Sequence, residues 1–292
     1  MQRVVVKVYG GLGNQLFCYA CGYAVARYNN CDLIIDTSQQ DNDSFRQVDI
    51  IKLKIPYSKR ITFKKGTGLF DRLLLNRMIL SIKLGLGIYR AKEKEPYCFD
   101  RDIFNINRKS IYLHGYWQSY RYFNEYRKEL LSAYEPSFIL SDYFKETQNK
   151  IDMCENSIAV HIRRGDYVSI GCNIENSYYD LAIERIERAL SLTKTYFIFS
   201  DDISYAYEFK YKYPEFDMYV IDNRSTNSTI EDLLLMSKCR NQIIANSSYS
   251  WWAAWLNKYE NKIIICPEVN SWAGDLYPEE WIKIRTEICE GK

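Results

Sequence analysis

The feature that most constrains the fold is how the chain opens. A β-branched run, Arg3–Val8, meets a glycine turn, Tyr9-Gly10-Gly11-Leu12-Gly13. A helical stretch follows from about Asn14 to Tyr28, then a second apolar run, Cys31–Asp36. Strand, tight turn, helix and strand in that order predict a βαβ unit, which demands a parallel sheet covered by helices. The alternation resumes near Asn156. Ser157–Ile162, Tyr196–Phe199, Asp217–Ile221, Gln242–Ala245 and Lys262–Cys266 read as strands. Tyr178–Leu190, about Ile230–Cys239 and Ser250–Asn257 read as helices between them. The middle is less regular: Thr37 to Ser110 as a helical and loop insertion, Ile111–Gly115 as a strand, Trp117–Tyr134 as a helix. The length of 292 residues suits two domains of ordinary size. The expected class is α/β, with two Rossmann-like domains, 1–155 and 156–292, facing a cleft.

Composition narrows what such a chain can do. A hydrophobic fraction of 47% and an aromatic fraction of 15% exclude a disordered class. The 39 basic and 37 acidic residues leave a net charge of +2, so no global field captures nucleic acid and any anion site is local. Basic residues gather between Lys52 and Lys94, including Lys59-Arg60 and Lys64-Lys65. The plain reading is a solvated loop and helix face; the sharper one is a patch resting on an anionic membrane surface. No stretch approaches the roughly 20 apolar residues that span a bilayer, and Met1-Gln2-Arg3 runs straight into Val4-Val5-Val6 without a signal-peptide pattern. The 9 cysteines are scattered and odd in number, as expected of reduced thiols in a cytoplasmic protein. Cys18 and Cys21 form a C-x-x-C with no second pair at zinc spacing nearby, and helix packing is the expected role.

Three segments carry chemistry. His161-Ile162-Arg163-Arg164-Gly165-Asp166-Tyr167 stands at the carboxyl end of a predicted strand, where open α/β sheets bind ligands. Strand alternation would put His161 and Arg163 on one face and Arg164 on the other. Arg163 can offer its planar fork to a diphosphate, with His161 beside it and Asp166 fixing Arg164 or another donor. The competing reading is a structural Arg–Asp pair at a strand end.

Gly10-Gly11-Leu12-Gly13-Asn14-Gln15 is no P-loop, and Leu16 stands at the third glycine of the dinucleotide fingerprint. Its turn still offers free N–H groups to an anion, and the Asn14 and Gln15 amides suit a sugar or diphosphate. With Asp36 as ribose partner, Gly11 and Gly13 support a rival nicotinamide-dependent sugar-nucleotide epimerase or dehydrogenase.

Asn246, Ser247, Ser248 and Ser250 sit where a predicted strand passes into a helix, forming a second anion cradle, with Trp251, Trp252 and Trp255 expected in the core. Asp201 and Asp202 end another strand facing the same cleft, and Asp201 and Arg164 are expected among the donor-binding residues. Asp41-Asn42-Asp43 and Asp100-Arg101-Asp102 copy the D-x-D of metal-dependent transferases, but neither follows a convincing strand, so no metal site is expected. A non-catalytic carbohydrate-binding protein is the remaining alternative; it leaves the arginines and the serine cradle without a purpose.

GGLGNQLF at 10–17, GYWQSYRYF at 115–123, HIRRGDY at 161–167, FSDD at 199–202 and ANSSYSWWAAWL at 245–256 together resemble the α-1,2-fucosyltransferase family, in the family's order. The resemblance implies a GT-B-like fold, GDP-β-L-fucose as donor, inversion at the anomeric carbon, and no metal or other cofactor. The implied acceptor is the 2-hydroxyl of galactose in an oligosaccharide or lipid-linked glycan of O-antigen, capsule or surface glycan synthesis. It implies Arg163 on the donor diphosphate and His161 at the guanosine end. Asn246, Ser248 and Ser250 would line the nucleotide pocket, with Gly11, Gly13 and Asn14 near the phosphate and fucose. Asp166 or Glu175 would serve as base, if one is used. Cys18 departs from the family's usual Gln, and Tyr205 from the Trp that commonly follows SDD.

Overall fold

The computed structural model describes residues 2–42, 46–62, 88–269 and 274–288. The chain forms two compact units, Met1–Ser137 with Gly274–Leu276, and Phe138–Ala273 with Tyr277–Lys292.

In the first unit β1 (Arg3–Lys7), β2 (Asp32–Asp36), β3 (Lys59–Ile61), β4 (Ile88–Lys92) and β5 (Ser110–His114) make one sheet in the order β3-β2-β1-β5-β4, every pairing parallel. Helix α1 (Leu12–Tyr28) joins β1 to β2, as the opening of the sequence requires. It starts two residues before the expected Asn14, because Gly10 at φ +82 turns the chain and Gly11 is already in cap position. Leu16, Phe17, Cys18, Tyr19, Ala20 and Cys21 are all fully buried, so α1 is a core helix, apolar on every side. Burial pushes the Cys18 thiol up to about 12 and that of Cys21 well above its usual value, so both pack as protonated thiols.

The expected helix over Trp117–Tyr134 is broken. Trp117 sits at φ +56, two short 3-10 turns follow at Tyr120–Tyr122 and Asn124–Tyr126, and only α2 (Arg127–Ala133) is α-helical. Tertiary contacts override the periodicity. The Glu93 carboxylate accepts from the N–H groups of Tyr116 and Trp117, both at 2.9 Å, and the Ser119 hydroxyl accepts from Arg121 N–H. The stretch read as an insertion carries β3 and β4. Lys64 and Lys65, part of the basic 52–94 region, lie outside the described residues.

The second unit begins earlier than 156. Helix α3 (Asp142–Asp152) packs against α7 (Ser228–Lys238), and Ser141, the cap of α3, donates its N–H and its hydroxyl to Glu231 of α7, both at 2.7 Å. Those contacts move the boundary from 155/156 to Ser137/Phe138. The remaining elements are β6 (Asn156–Ile162), α4 (Gly165–Ser169), α5 (Asn176–Ala189), β7 (Lys194–Ser200), α6 (Ile203–Lys212), β8 (Asp217–Val220), β9 (Asn241–Ile243), α8 (Ser248–Leu256), β10 (Ile264–Glu268) and β11 (Ile282–Arg285). Their sheet runs β11-β10-β9-β6-β7-β8, again with every pairing parallel. All seven residues of β6 are buried, as a central parallel strand covered on both faces requires.

Each order contains a reversal. The second sheet grows from β6 through β7 to β8, then restarts at β9 on the other side of β6. The first grows from β1 through β2 to β3, and β5 then takes the free side of β1. At such switch points neighbouring connections leave in opposite directions and open a crevice at the strands' carboxyl ends. HIRRGDY spans the end of β6 and ANSSYS follows β9; in the first unit the glycine turn follows β1 and GYWQS follows β5.

Candidate active site

Strand β6 stops at Ile162, so alternation no longer governs the two arginines that follow it. Both are set by a carboxylate pair from the end of β7. Arg163 Nη1 lies 2.6 Å from Asp201 Oδ2, Nη2 donates to Asp166 Oδ1, and the guanidinium sits 5.1 Å from the Tyr167 ring centre. The backbone N–H of Arg164 donates to the other Asp201 oxygen at 2.8 Å. Its side chain turns away: Nε donates to Asp202 Oδ2 at 3.2 Å and the guanidinium stacks 3.8 Å from the centre of Tyr205. Asp202 also caps α6 through Tyr205 N–H. Gly165 is required by close approach, since a Cβ there would stand 2.3 Å from Asp201 Oδ2.

Of the partners open to Asp166, it takes Arg163. Arg164, expected among the donor ligands, gives its Nε to Asp202 and its flat face to Tyr205. Tyr205 keeps an aromatic face for that stack, which gives the departure from Trp a physical sense. Asp201 holds both arginine segments in place. Glu175, a base candidate, is exposed at the start of α5 and accepts from the Ser177 hydroxyl.

His161 lies beneath this cluster, 4% exposed, with its ring 5.7 Å from that of Tyr249. Burial first, then the charge of Arg163, pushes its pKa down to about 3, so the imidazole is neutral. Its Nδ1 is buried with no hydrogen-bond partner among the described residues, as is the amide oxygen of Asn246. Both atoms stand near the ends of β6 and β9 at the switch point, two of seven such orphans among the described residues.

The turn after β9 is built by its own side chains. Ser247 caps α8 by accepting from Tyr249 N–H, and Asn246 Nδ2 donates to the Cys172 carbonyl at 2.8 Å. Ser248, half-buried, opens the helix. Ser250, expected to face the donor, is fully buried with its hydroxyl toward the carbonyls of Ala245 and Ser247, so it supports the turn from within. Trp251, Trp252 and Trp255 are core, as expected.

Periodicity hid a further carboxyl. Asp232 on α7 takes a 2.9 Å bond from Asn223 Nδ2, yet burial pushes it up to about 7. Burial also pushes the neighbouring Glu231 up, but bonds from Ser225, Ser141 and Asn223 outweigh that and hold it below its usual range.

The glycine-turn residues belong to the first unit. Gly10 N–H donates to Gln40 Oε1 at 2.7 Å, Gly11 caps α1 and Gly13 is buried in its first turn. Asn14 is half-buried and accepts from Gln118 Nε2 at 2.9 Å. Gln15, expected to touch the donor, is fully buried: its amide donates to the carbonyls of Gly10 and Gln47 and accepts from Ile50 N–H. It ties the turn to the following loop. Arg46, in a segment that read as irregular, places Nη1 3.1 Å from where a Cβ on Gly11 would stand, a cation at the start of α1 that no motif announced.

Asp36, the acid of the nicotinamide reading, is buried and already accepts from Tyr112 OH at 2.8 Å and Ser38 N–H at 3.0 Å. Of the D-x-D segments, Asp41 pairs with Arg60 at 2.7 Å and Asp100 with Lys94 at 2.9 Å, while Asp43 lies outside the described residues. Among the described residues no group of three His, Cys, Asp or Glu side chains could hold a metal ion, and no helix is long and apolar enough to cross a membrane.

Two parallel α/β sheets, with an arginine and a helix start at the switch point of the second, define the GT-B-like class of glycosyltransferases. A family model described as Glycosyl transferase family 11 matches residues 98–285. The chain is 34% identical to an alpha-1,2-colitosyltransferase of Escherichia coli, over 97% of this chain and 99% of that protein. It is 30% identical to the O-antigen biosynthesis glycosyltransferase WbnK of Escherichia coli, over 88% and 91%. It therefore belongs to glycosyl transferase family 11 and is a glycosyltransferase, an enzyme that takes a nucleotide-sugar donor and a glycan acceptor. The fold is similar to that of the α-1,6-fucosyltransferase NodZ soaked with GDP-fucose, at a TM-score of 0.52, 15% identity and coverage of 90% and 94%.

Proposed function

We propose that this enzyme moves L-fucose from GDP-β-L-fucose to the 2-hydroxyl of a galactose-containing glycan, with inversion and without a metal ion. The observation that carries the reading is Arg163, held by carboxylates at the carboxyl end of β6 where the second sheet reverses. Departure of GDP builds negative charge on the β-phosphate, and a fixed guanidinium with the N–H groups at the start of α8 neutralises it without reorganising. The orphaned His161 Nδ1 and Asn246 amide oxygen supply polar contacts for the nucleoside. The glycosyl carbon develops oxocarbenium character, the C–O bond to GDP breaks, and the acceptor hydroxyl attacks from the opposite face and releases its proton to a carboxylate base or to water. The chemistry of the matched relatives supports this, one being named for α-1,2 transfer and one for O-antigen synthesis.

The sugar is the finer choice. Colitose is fucose without its 3-hydroxyl, so a site that hydrogen-bonds that hydroxyl rejects the deoxy sugar by about 10⁴-fold or more, and a site that ignores it separates the two only weakly. We take fucose as donor, and kcat/KM for GDP-fucose against GDP-colitose on one acceptor tests the choice. A preference for GDP-colitose would reassign the donor and leave the rest standing. We place the enzyme in the cytoplasm, with the basic 52–94 region resting on the inner membrane face beside a lipid-linked acceptor. Flotation with vesicles containing anionic lipid tests this, and failure to co-float at low salt contradicts it.

A further inference from the structure

Arg163 has two carboxylate partners, and they are held differently. Asp201 is anchored twice: one oxygen takes Arg164 N–H and the other takes Arg163 Nη1. Asp166 stands on the five-residue helix α4, its side chain 42% exposed against 27% for Asp201. The cluster of Arg163, Arg164, Asp166, Asp201 and Asp202 sums to one net negative charge, an unfavourable welcome for a diphosphate. A phosphate oxygen brought to Nη2 would also meet the Asp166 carboxylate, like charge against like charge, at the donor both compete for.

We propose that Asp166 is an exchangeable counter-ion. It satisfies Arg163 Nη2 in the ligand-free enzyme, and the donor diphosphate displaces it. Asp201 stays in place throughout and keeps the guanidinium aimed, which makes it a positioning residue. The inference rests on the reading of this site as one for a nucleoside diphosphate. It divides two acids that touch the same guanidinium by opposite effects on affinity: one competes with the ligand, the other prepares the site for it.

The test is calorimetric titration of the full chain with GDP, and with inorganic pyrophosphate as a probe lacking base and sugar. Asp166→Asn removes the competing charge and is expected to bind both about two- to fivefold more tightly than wild type, the scale of a lost exposed ion pair. Asp201→Asn is expected to bind about tenfold more weakly or worse, since the fork loses its aim. Weaker or unchanged binding by Asp166→Asn overturns the exchange, and tighter binding by Asp201→Asn overturns its positioning role. Should Asp201→Asn fail to fold, Asp166→Asn decides the exchange alone. A wild type that binds neither GDP nor pyrophosphate defeats the donor reading and the exchange with it. A wild type that binds GDP while Asp166→Asn gains nothing defeats the exchange only.

Discussion

Arg163 is where sequence, fold and chemistry converge, and its replacement is the sharpest residue-scale test. Arg163→Ala should cut kcat/KM for sugar transfer by about 10² to 10³, the scale of losing one preorganised donor to a developing oxyanion, with the melting temperature little changed. Arg163→Lys keeps the charge but loses the fork, and should recover only part of the rate. Near-normal kinetics in the alanine variant would remove Arg163 from the chemistry. Two buried groups predict opposite pH responses. His161 is held near 3 in the fold against about 6.5 unfolded, so its contribution to stability is intact above pH 6.5 and lost as pH falls toward 3. The stability difference between wild type and His161→Gln should therefore shrink between pH 7 and pH 4; a constant difference means the imidazole is not buried neutral. Asp232 is raised to about 7, so it is protonated at low pH and costs stability as pH rises from about 4 through 7. Asp232→Asn should gain on wild type between pH 5 and 8, and chemical denaturation across that range checks the sign. Arg163, Asp201, His161 and Asn246 were legible in the sequence because motif position at a strand end fixes where they sit. The partners of Arg164 and Gln15 were not, because Asp202 and Gln47 reach them only through the tertiary fold.

At the scale of elements, two devices hold the site. Ser247 caps α8, and Ser247→Ala should lower stability by about 1 kcal/mol, read from a denaturant midpoint. Gly165→Ala forces the Asp201 carboxylate to move, so it should weaken GDP binding more than it lowers the melting temperature. An alanine variant with unchanged affinity would mean that Asp201 tolerates displacement. The βαβ opening and the β6-to-β10 alternation could be read from periodicity because their apolar runs are buried on both faces. The Trp117 segment could not. Its aromatic spacing suits a helix, and the break comes from Glu93, a residue 24 positions away whose carboxylate takes the Trp117 N–H. The boundary was misplaced for a related reason: α3 joins the second unit through Ser141 and Glu231, 90 positions apart.

At the scale of the molecule, each of the two parallel sheets carries its motifs at its own switch point. Within each unit, that brings segments far apart in sequence to one sheet edge. On the proposed reading the guanidinium and helix N–H groups neutralise the leaving group themselves, so transfer should persist in excess EDTA; loss of turnover restored by Mn²⁺ would contradict this. The most direct measurement is NMR of the product formed from GDP-fucose and a panel of β-galactosides in EDTA. One new α-fucosyl residue on O-2 of galactose is the expected result. No transfer from GDP-fucose, or a linkage to any other hydroxyl, would contradict the assignment.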